Sequence, residues 1–223
     1  KESSAASDVY KRQITATFVL GGMTGCGKPT PVSIAADVVK TLEKIESVDG
    51  TMELNFSGIR NKRRRKMKLI GIIGAMEEEV AKLKEQMNEV SIRTKAAMEF
   101  NRGKLNGKEV VVVRSGIGKV NAGICTQILV DDYQVDAIIN TGIAGSLKSQ
   151  IDIGDIVVST DTLQHDMDAT GFGYAKGQIP RMDVLSFPAD ENLIKLAMSV
   201  CERVNPEIHV FAGRLSLIHI SEP

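Results

Sequence analysis

The stretch Lys68-Leu-Ile-Gly-Ile-Ile-Gly-Ala75, followed at once by Met76-Glu-Glu-Glu-Val80, decides the fold of this chain. So continuous an apolar run is typical of a strand that is buried on both faces of a parallel sheet. The three glutamates suit the first turn of a helix, where the macrodipole favours negative charge. Over residues 77–88, helical spacing places Val80, Leu83 and Met87 on one stripe. The stretch therefore predicts a buried strand that leads directly into an amphipathic helix.

The residues that follow continue this alternation of strands and helices. Residues 99–105 and 109–115 flank Asn106-Gly107, which is the strongest short signal for a β-hairpin. Strands that alternate with helices indicate an α/β fold with a largely parallel sheet covered on both faces. The remaining predicted helices are 119–133 and 189–204, and the remaining predicted strands are 135–141, 155–160 and 207–213.

Residues 1–66 lack this rhythm and contain one plausible strand, Ile14–Leu20, and one plausible helix, Ser33–Ile45. They end in the basic run Asn61-Lys-Arg-Arg-Arg-Lys66, directly before Met67. A solvated linker would explain this run. Because lysine and arginine codons can be all purine, a ribosome-binding site translated in frame would explain it too. We expect Met67 to be the native start and residues 1–66 to be upstream readthrough rather than a functional domain.

Both ends of the chain resemble translated sequencing-adapter sequence. The stretches are SSAASDVYKRQ at residues 3–13 and LSLIHISEP at residues 215–223. We assign neither a function and expect the natural protein to continue beyond Arg214. The predicted organisation is a non-native segment over 1–66, a partial domain over 67–213 and an artefactual tail over 214–223.

Composition excludes several classes of protein. Lys+Arg and Asp+Glu both number 28, and this balance argues against a dedicated binder of nucleic acid or of anionic membranes. The three cysteines, Cys26, Cys125 and Cys201, are far apart and form no CxxC pair, so neither a disulfide framework nor a zinc site is expected. With no apolar run of membrane-spanning length and no signal-peptide pattern, the prediction is a cytoplasmic protein.

Two glycine motifs resemble nucleotide-binding loops. Gly22–Lys28 reads GMTGCGK, but a phosphate-binding loop needs Ser or Thr next, and Pro29 stands there. Gly116-x-Gly118 opens a helix, but a dinucleotide fingerprint needs glycine where Asn121 stands. A tight strand-to-helix turn explains the second motif, although such a helix N-terminus could also approach an anion or a ribose.

The run His165-Asp166-Met167-Asp168 is compatible with a metal site or with a polar loop at a strand end. Metal sites need several convergent ligands, and the sequence offers no second cluster of this kind. The polar loop is the favoured interpretation, and we expect neither a metal nor a cofactor.

Among the three glutamates, Glu79 differs from its neighbours. The macrodipole suffices to explain Glu77 and Glu78, whereas Glu79 stands beside the apolar stripe and should lean toward the sheet. Ligands bind at the carboxyl ends of strands in such sheets, so a carboxylate held there is a candidate general base. The pattern by itself leaves the macrodipole explanation open for Glu79 as well.

Five segments together resemble the bacterial methylthioadenosine/S-adenosylhomocysteine nucleosidases in order and spacing. The resemblance covers residues 67 to about 213, which is about the first two thirds of such an enzyme. It implies the nucleoside phosphorylase-like fold, a twisted mixed sheet wrapped by helices, here incomplete, and usually a homodimer. It also implies hydrolysis of the N-glycosidic bond of a small-molecule thio-nucleoside without a cofactor. The segments are MKLIGIIGAMEEEV, RSGIGKVNAG, INTGIAGSL, GDIVVST and HDMDATGFGYAKGQIP.

The resemblance also implies roles for particular residues. Glu79 takes the place of the water-activating glutamate, and Ile143 stands where some members have serine. The groups that protonate the purine and hold the ribose hydroxyls lie beyond the matching region. Two alternatives stay open, namely a related activity (an aminofutalosine nucleosidase or a nucleoside phosphorylase) and an inactive fragment. The ribose and adenine pocket would be lined by Met76, Ile117, Ile143, Ala144 and Gly145, and the loop reaching the neighbouring subunit's alkylthio pocket would contain Ala169, Phe172, Tyr174 and Pro180.

Overall fold

The computed structural model describes residues 68–152, 154–204 and 206–216, and the backbone of one strand at residues 15–20. These residues form one mixed sheet of nine strands. The strands are β1 (Thr15–Leu20), β2 (Leu69–Gly74), β3 (Asn88–Lys95), β4 (Met98–Leu105), β5 (Lys108–Arg114), β6 (Ala137–Ile143), β7 (Ile156–Leu163), β8 (Phe187–Pro188) and β9 (Val210–Ser216). Their order across the sheet is β3-β4-β5-β2-β6-β1-β7-β8, and β9 pairs with β7.

Parallel pairing dominates the middle of the sheet. Strand β2 runs parallel to both β5 and β6, and β6 runs parallel to β1. The outer pairs β3–β4, β4–β5 and β7–β8 are antiparallel, as is β1–β7. The expected mixed α/β sheet is confirmed, and the carboxyl ends of β2 and β6 lie side by side at one edge.

Three α-helices cover the two faces of this sheet within the described residues: α1 (Glu77–Glu85), α2 (Lys119–Asp131) and α3 (Glu191–Val204). On β2, Ile70 and Ile72 face a cluster that includes residues of α1 and α3, while Leu69 and Ile73 face a second cluster that includes residues of α2. All six residues of β2 are buried. Burial on both faces explains why this strand has no polar residue.

The predicted hairpin is confirmed. Asn106 and Gly107 both have positive φ, 51° and 79°, and join β4 to β5 through a two-residue turn. Asparagine and glycine tolerate this left-handed backbone better than other residues. The turn therefore fixes the register that pairs Leu105 with Lys108.

The end of the first helix was predicted wrongly. Helix α1 ends at Glu85 rather than near residue 88, because residues 88–95 form strand β3, which the sequence analysis missed. Every residue of β3 is exposed, including Val90 and Ile92, which alternate with polar residues along the strand, so this alternation does not mark a face buried in the core. Pairing with β4 determines its conformation.

Strand β1 was expected at Ile14–Leu20 and is observed at Thr15–Leu20. It lies between β6 and β7, parallel to the first and antiparallel to the second. The helix expected at Ser33–Ile45 and the glycine motif Gly22–Lys28 lie outside the described residues. Among the helices in the described part of the chain, none has the length and hydropathy to cross a membrane.

Strand β9 extends three residues past the expected end at residue 213. Arg214 donates hydrogen bonds to the Asp161 carboxylate on β7, the shortest of them 2.6 Å. The Ser216 hydroxyl donates to the carbonyl oxygen of Leu163 at 3.2 Å. These contacts tie the end of β9 to β7.

Replacing a buried core residue should cost far more stability than replacing an exposed one of the same type. Leu83 of α1 is completely buried, whereas Leu147 is fully exposed. We expect Leu83→Ala to lower the free energy of unfolding by about 2–5 kcal/mol. Leu147→Ala should change it by less than about 0.5 kcal/mol. Urea denaturation monitored by circular dichroism measures both, and equal losses would contradict the placement of α1 in the core.

Acid should weaken the stabilisation that the Asp161–Arg214 ion pair gives to the pairing of β7 with β9. The hydrogen bond from Arg214 lowers the pKa of Asp161. A lowered carboxylate pKa contributes stability above the unfolded pKa, and this contribution is lost as pH falls through the folded pKa. We expect wild type to be more stable than Arg214→Met by a constant margin from neutral pH down to about 4, and the margin to shrink below that. Urea midpoints over this range would show it, and a margin that grows in acid would contradict the assignment.

Candidate active site

The carboxylate of Glu79 lies at the joined carboxyl ends of β2 and β6. Its Oε2 atom accepts hydrogen bonds from the backbone N–H groups of Ala75 and Met76, at 2.7 and 3.0 Å. Its Oε1 atom accepts one from the N–H of Ile143, at 3.0 Å. The residue is 5% exposed. The side chain thus links the turn after β2 to Ile143 at the end of β6, which is 64 residues from Glu79 in sequence.

The local sequence explains how Glu79 reaches this position. Met76 is the N-cap of α1 and has extended backbone, with φ −119° and ψ 159°. A glutamate three residues after the N-cap reaches back to the N-cap N–H, as in a capping box. The buried stripe of α1 holds Val80 and Leu83 against the sheet, so the same helix face carries Glu79 inward.

The neighbouring glutamates point elsewhere. Glu77 is exposed and bonds the Lys84 ammonium at 2.9 Å, with the Arg114 guanidinium 3.5 Å away. Glu78 is also exposed. The prediction that only Glu79 leans toward the sheet is confirmed, while its role as a base stays a prediction.

Other residues expected at the pocket lie on turns at the same edge of the sheet. Met76 and Ile143 donate their backbone N–H groups to Glu79, and Ala144 and Gly145 follow directly after β6. Some members of the family that the sequence resembles have serine at the position of Ile143. Here Ile143 contacts Glu79 through its backbone N–H. This contact does not depend on the side chain.

A third turn, between β5 and α2, reaches the same edge. The N–H of Ser115 donates to the carbonyl oxygen of Gly74 at 2.9 Å, which holds this turn against the end of β2. Ile117 follows in the turn and is half exposed. Ser115 is buried, and the sequence analysis missed it because a lone serine after a strand carries no signal.

The glycines of this turn support its interpretation as a tight strand-to-helix connection. Gly116 and Gly118 have φ of 84° and 101°, values that side chains disfavour. Asn121, which replaces the third glycine of a dinucleotide fingerprint, donates its side-chain amide to the carbonyl oxygen of Ile117 at 2.7 Å.

The loop over residues 165–180 is anchored near the start of α2. The Lys119 ammonium lies 2.6 Å from the Asp166 carboxylate, whose pKa it lowers. Within the loop, Ala169 is buried, Phe172 is 87% exposed and Pro180 is exposed. The Tyr174 hydroxyl accepts the N–H of Arg181 at 3.2 Å. None of these contacts brings the four predicted loop residues to Glu79.

The polar groups of His165–Asp168 have protein partners. His165 Nδ1 lies 2.5 Å from the Ser216 hydroxyl, and Asp168 accepts hydrogen bonds from the N–H and hydroxyl of Thr170. Across the described ranges, no group of three His, Cys, Asp or Glu side chains is arranged to hold a metal ion. The geometry favours the polar loop.

Comparison with known proteins defines the class first. The sequence model of the Phosphorylase superfamily matches residues 69–215. The chain belongs to this superfamily, and within it to the family of the 5'-methylthioadenosine/S-adenosylhomocysteine nucleosidases. It is 51% identical to the nucleosidase of Staphylococcus haemolyticus over 140 residues, which are 61% of this chain and 60% of that protein. It is 46% identical to that of Staphylococcus epidermidis over 156 residues, covering 69% and 68%.

Solved structures of such nucleosidases share the fold. The enzyme of Colwellia psychrerythraea in complex with adenine has a TM-score of 0.64 and 41% identity, over 67% of this chain and 62% of that one. The enzyme of Neisseria meningitidis in complex with methylthio-immucillin-A has a TM-score of 0.64 and 38% identity, over 67% and 64%. The chain therefore spans less than two thirds of each of these two structures.

Proposed function

We propose that this chain carries the water-activating part of an N-glycosidic hydrolase that releases adenine from methylthioadenosine and S-adenosylhomocysteine. One observation carries the proposal, namely the buried Glu79 carboxylate at the carboxyl ends of β2 and β6. Relatives with this fold bind adenine and methylthio-immucillin-A, according to their solved complexes. The proposal includes the cytoplasmic location expected from the sequence.

The chemistry of the reaction needs a carboxylate at such a place. Breaking the bond between ribose and adenine builds positive charge on the ribose ring, an oxocarbenium-like state. A nearby carboxylate stabilises this charge and takes a proton from the attacking water. A phosphorolytic enzyme would instead hold a phosphate dianion, which Glu79 would repel at short range. Glu79 thus favours water over phosphate as the nucleophile.

The hydrogen bonds of Glu79 indicate which of its two oxygens takes the proton from the attacking water. A carboxylate offers about four acceptor positions, two on each oxygen. Among the described residues, Oε2 accepts two backbone N–H groups, whereas Oε1 accepts one, that of Ile143. We infer that the remaining position on Oε1 receives the attacking water and its proton.

The residues around this carboxylate suit a flat purine and a thioether. Met76, Ile117 and Ile143 offer apolar surface, which favours ligands that gain by leaving water. Ala144 and Gly145 carry little side-chain bulk after β6, which leaves backbone groups accessible to a ribose. We assign these five residues to the ribose and adenine pocket.

A second candidate is that this chain by itself is an inactive fragment. The observation in its favour is length, since the chain spans only 60% of the Staphylococcus haemolyticus relative. Adenine release should be assayed for the chain and for a chimera in which residues 67–213 are followed by the remaining part of that relative. Release by the chimera but not by the chain would favour the fragment. Release that requires phosphate would identify a phosphorylase.

Glu79→Gln should abolish most of the activity of the chimera. The amide keeps the shape but lacks the charge and basicity, and positioned acid–base groups contribute about 10²–10⁴-fold in rate. We expect kcat for adenine release to fall by that factor. Binding of methylthio-immucillin-A should change much less, because the amide oxygen still accepts the N–H groups of Ala75 and Met76 and only the bond from Ile143 is lost.

Glu77→Gln and Glu78→Gln are the matched controls. Both side chains lie at the same helix N-terminus but are exposed. Each should retain near wild-type turnover and lose only about 0.3–1 kcal/mol of helix stabilisation. Normal turnover by Glu79→Gln, or an inactive Glu78→Gln, would overturn the assignment.

We further propose that the nucleosidase is a homodimer that pairs through the outer face of α2. Val120 and Ile124 lie one turn apart on α2 and are 71% and 42% exposed, and Ile117, in the turn before the helix, is 52% exposed. Phe172, on the loop anchored at the start of this helix, is 87% exposed. Exposed apolar residues that form a stripe indicate an interface. The loop with Ala169, Phe172, Tyr174 and Pro180 would then reach the alkylthio pocket of the second copy.

Placing a charge on this stripe should dissociate the dimer. In a twofold dimer each substitution occurs twice in one interface, so its effect is doubled. We expect Val120→Asp to shift the chain from dimer to monomer in sedimentation velocity. Ile92→Asp is the control, since Ile92 is similarly exposed, at 61%, but lies on β3. Equal behaviour of the two variants would contradict an α2 interface.

A further inference from the structure

We propose that Gly142 is a positioning residue for Glu79, because its missing side chain leaves the space that the carboxylate occupies. Gly142 is the next-to-last residue of β6, directly before the Ile143 whose N–H binds Glu79. The inference rests on the proposed function in one respect, since it takes Glu79 as the base of the reaction.

The space beside Gly142 is filled by one functional group. A Cβ atom at this position would lie 2.7 Å from Oε1 of Glu79, 3.2 Å from its Cδ and 3.4 Å from its Oε2. Favourable contacts between carbon atoms start near 3.5 Å, so a methyl group and the carboxylate cannot both occupy this space. The three nearest atoms all belong to the Glu79 carboxyl group.

The carboxylate cannot move away without losing hydrogen bonds. Ala75 and Met76 hold Oε2 at 2.7 and 3.0 Å, and Ile143 holds Oε1 at 3.0 Å. A methyl group at 142 would push Oε1 away from Ile143, while the other two donors retain Oε2. A buried N–H that loses its partner is costly. Displacement by about 1 Å is enough to reduce catalysis by about 10²-fold.

Gly74, on the adjacent strand β2, provides an internal comparison. A Cβ atom there would lie 2.7 Å from Cγ1 of Val80, 3.0 Å from Cβ of Glu79 and 3.4 Å from its Oε2. Its closest conflict is therefore with a core side chain and not with the carboxylate. Gly74 therefore makes room for the core side chain of Val80, whereas Gly142 makes room for the carboxylate of Glu79.

A double-mutant cycle on the full chain tests this difference. Gly142→Ala should shift the unfolding equilibrium constant toward the unfolded state by roughly 5- to 100-fold, the usual effect of overpacking. In the Glu79→Ala background the same substitution should shift it by less than about threefold, because the conflicting atoms are gone. Gly74→Ala should remain destabilising in both backgrounds. Gly213→Ala, whose new methyl group would meet its nearest atom at 3.7 Å, should have little effect in either.

The amide proton of Ile143 gives a readout that global destabilisation does not mimic. In the full chain labelled with ¹⁵N, Gly142→Ala should move the Ile143 resonance upfield and speed its hydrogen exchange, while Val112 in the middle of β5 stays protected. Gly74→Ala should not change Ile143 selectively.

The possible outcomes separate this inference from the proposed function. If Gly142→Ala shifts the unfolding equilibrium equally with and without the Glu79 side chain, the inference is wrong, whatever the rate of adenine release. If the single variant fails to fold but the double variant folds, the coupling is confirmed, and if neither folds the inference is overturned. Normal adenine release by Glu79→Gln would instead contradict the proposed function. The energetic coupling between Gly142 and Glu79 could still be measured in that case.

Discussion

The buried carboxylate of Glu79 and the three backbone N–H groups that bind it are the interaction on which the rest of the site depends. An ionised group removed from water is tolerated only when hydrogen bonds replace its hydration. Here the donors come from Ala75 and Met76 at the end of β2 and from Ile143 at the end of β6. The same hydrogen bonds therefore replace the hydration of the charge and fix the distance between the turn after β2 and the end of β6.

The sheet makes this arrangement possible because β2 and β6 are adjacent and parallel, so their carboxyl ends emerge together. The turn after β5 joins them through the bond from Ser115 to Gly74. Three turns thus converge where open α/β sheets place their ligands. The apolar stripe begins at Ile117 in the third of these turns and continues along α2, so the region proposed for a partner adjoins the region proposed for substrate.

Several elements could be predicted because their causes are local. Burial on both faces shows in β2 as an unbroken apolar run, and the Asn106-Gly107 turn shows in the residue types that accept positive φ. The orientation of Glu79 followed from its place beside the stripe of Val80 and Leu83. Strand β3 was missed because its side chains are exposed and because Ala96-Ala97, the turn that joins it to β4, has positive φ without the Asn-Gly sequence typical of such a turn.

The sequence by itself determined the α/β class, the buried strand, the inward face of α1 and, through five segments in register, the resemblance to a nucleosidase family. Only the tertiary structure decided that Ile143 contributes its backbone N–H and that the side chain missing at Gly142 makes room for Oε1. The physical reason is distance along the chain. Glu79 and Ile143 are 64 residues apart, and no periodicity relates them until β6 pairs with β2.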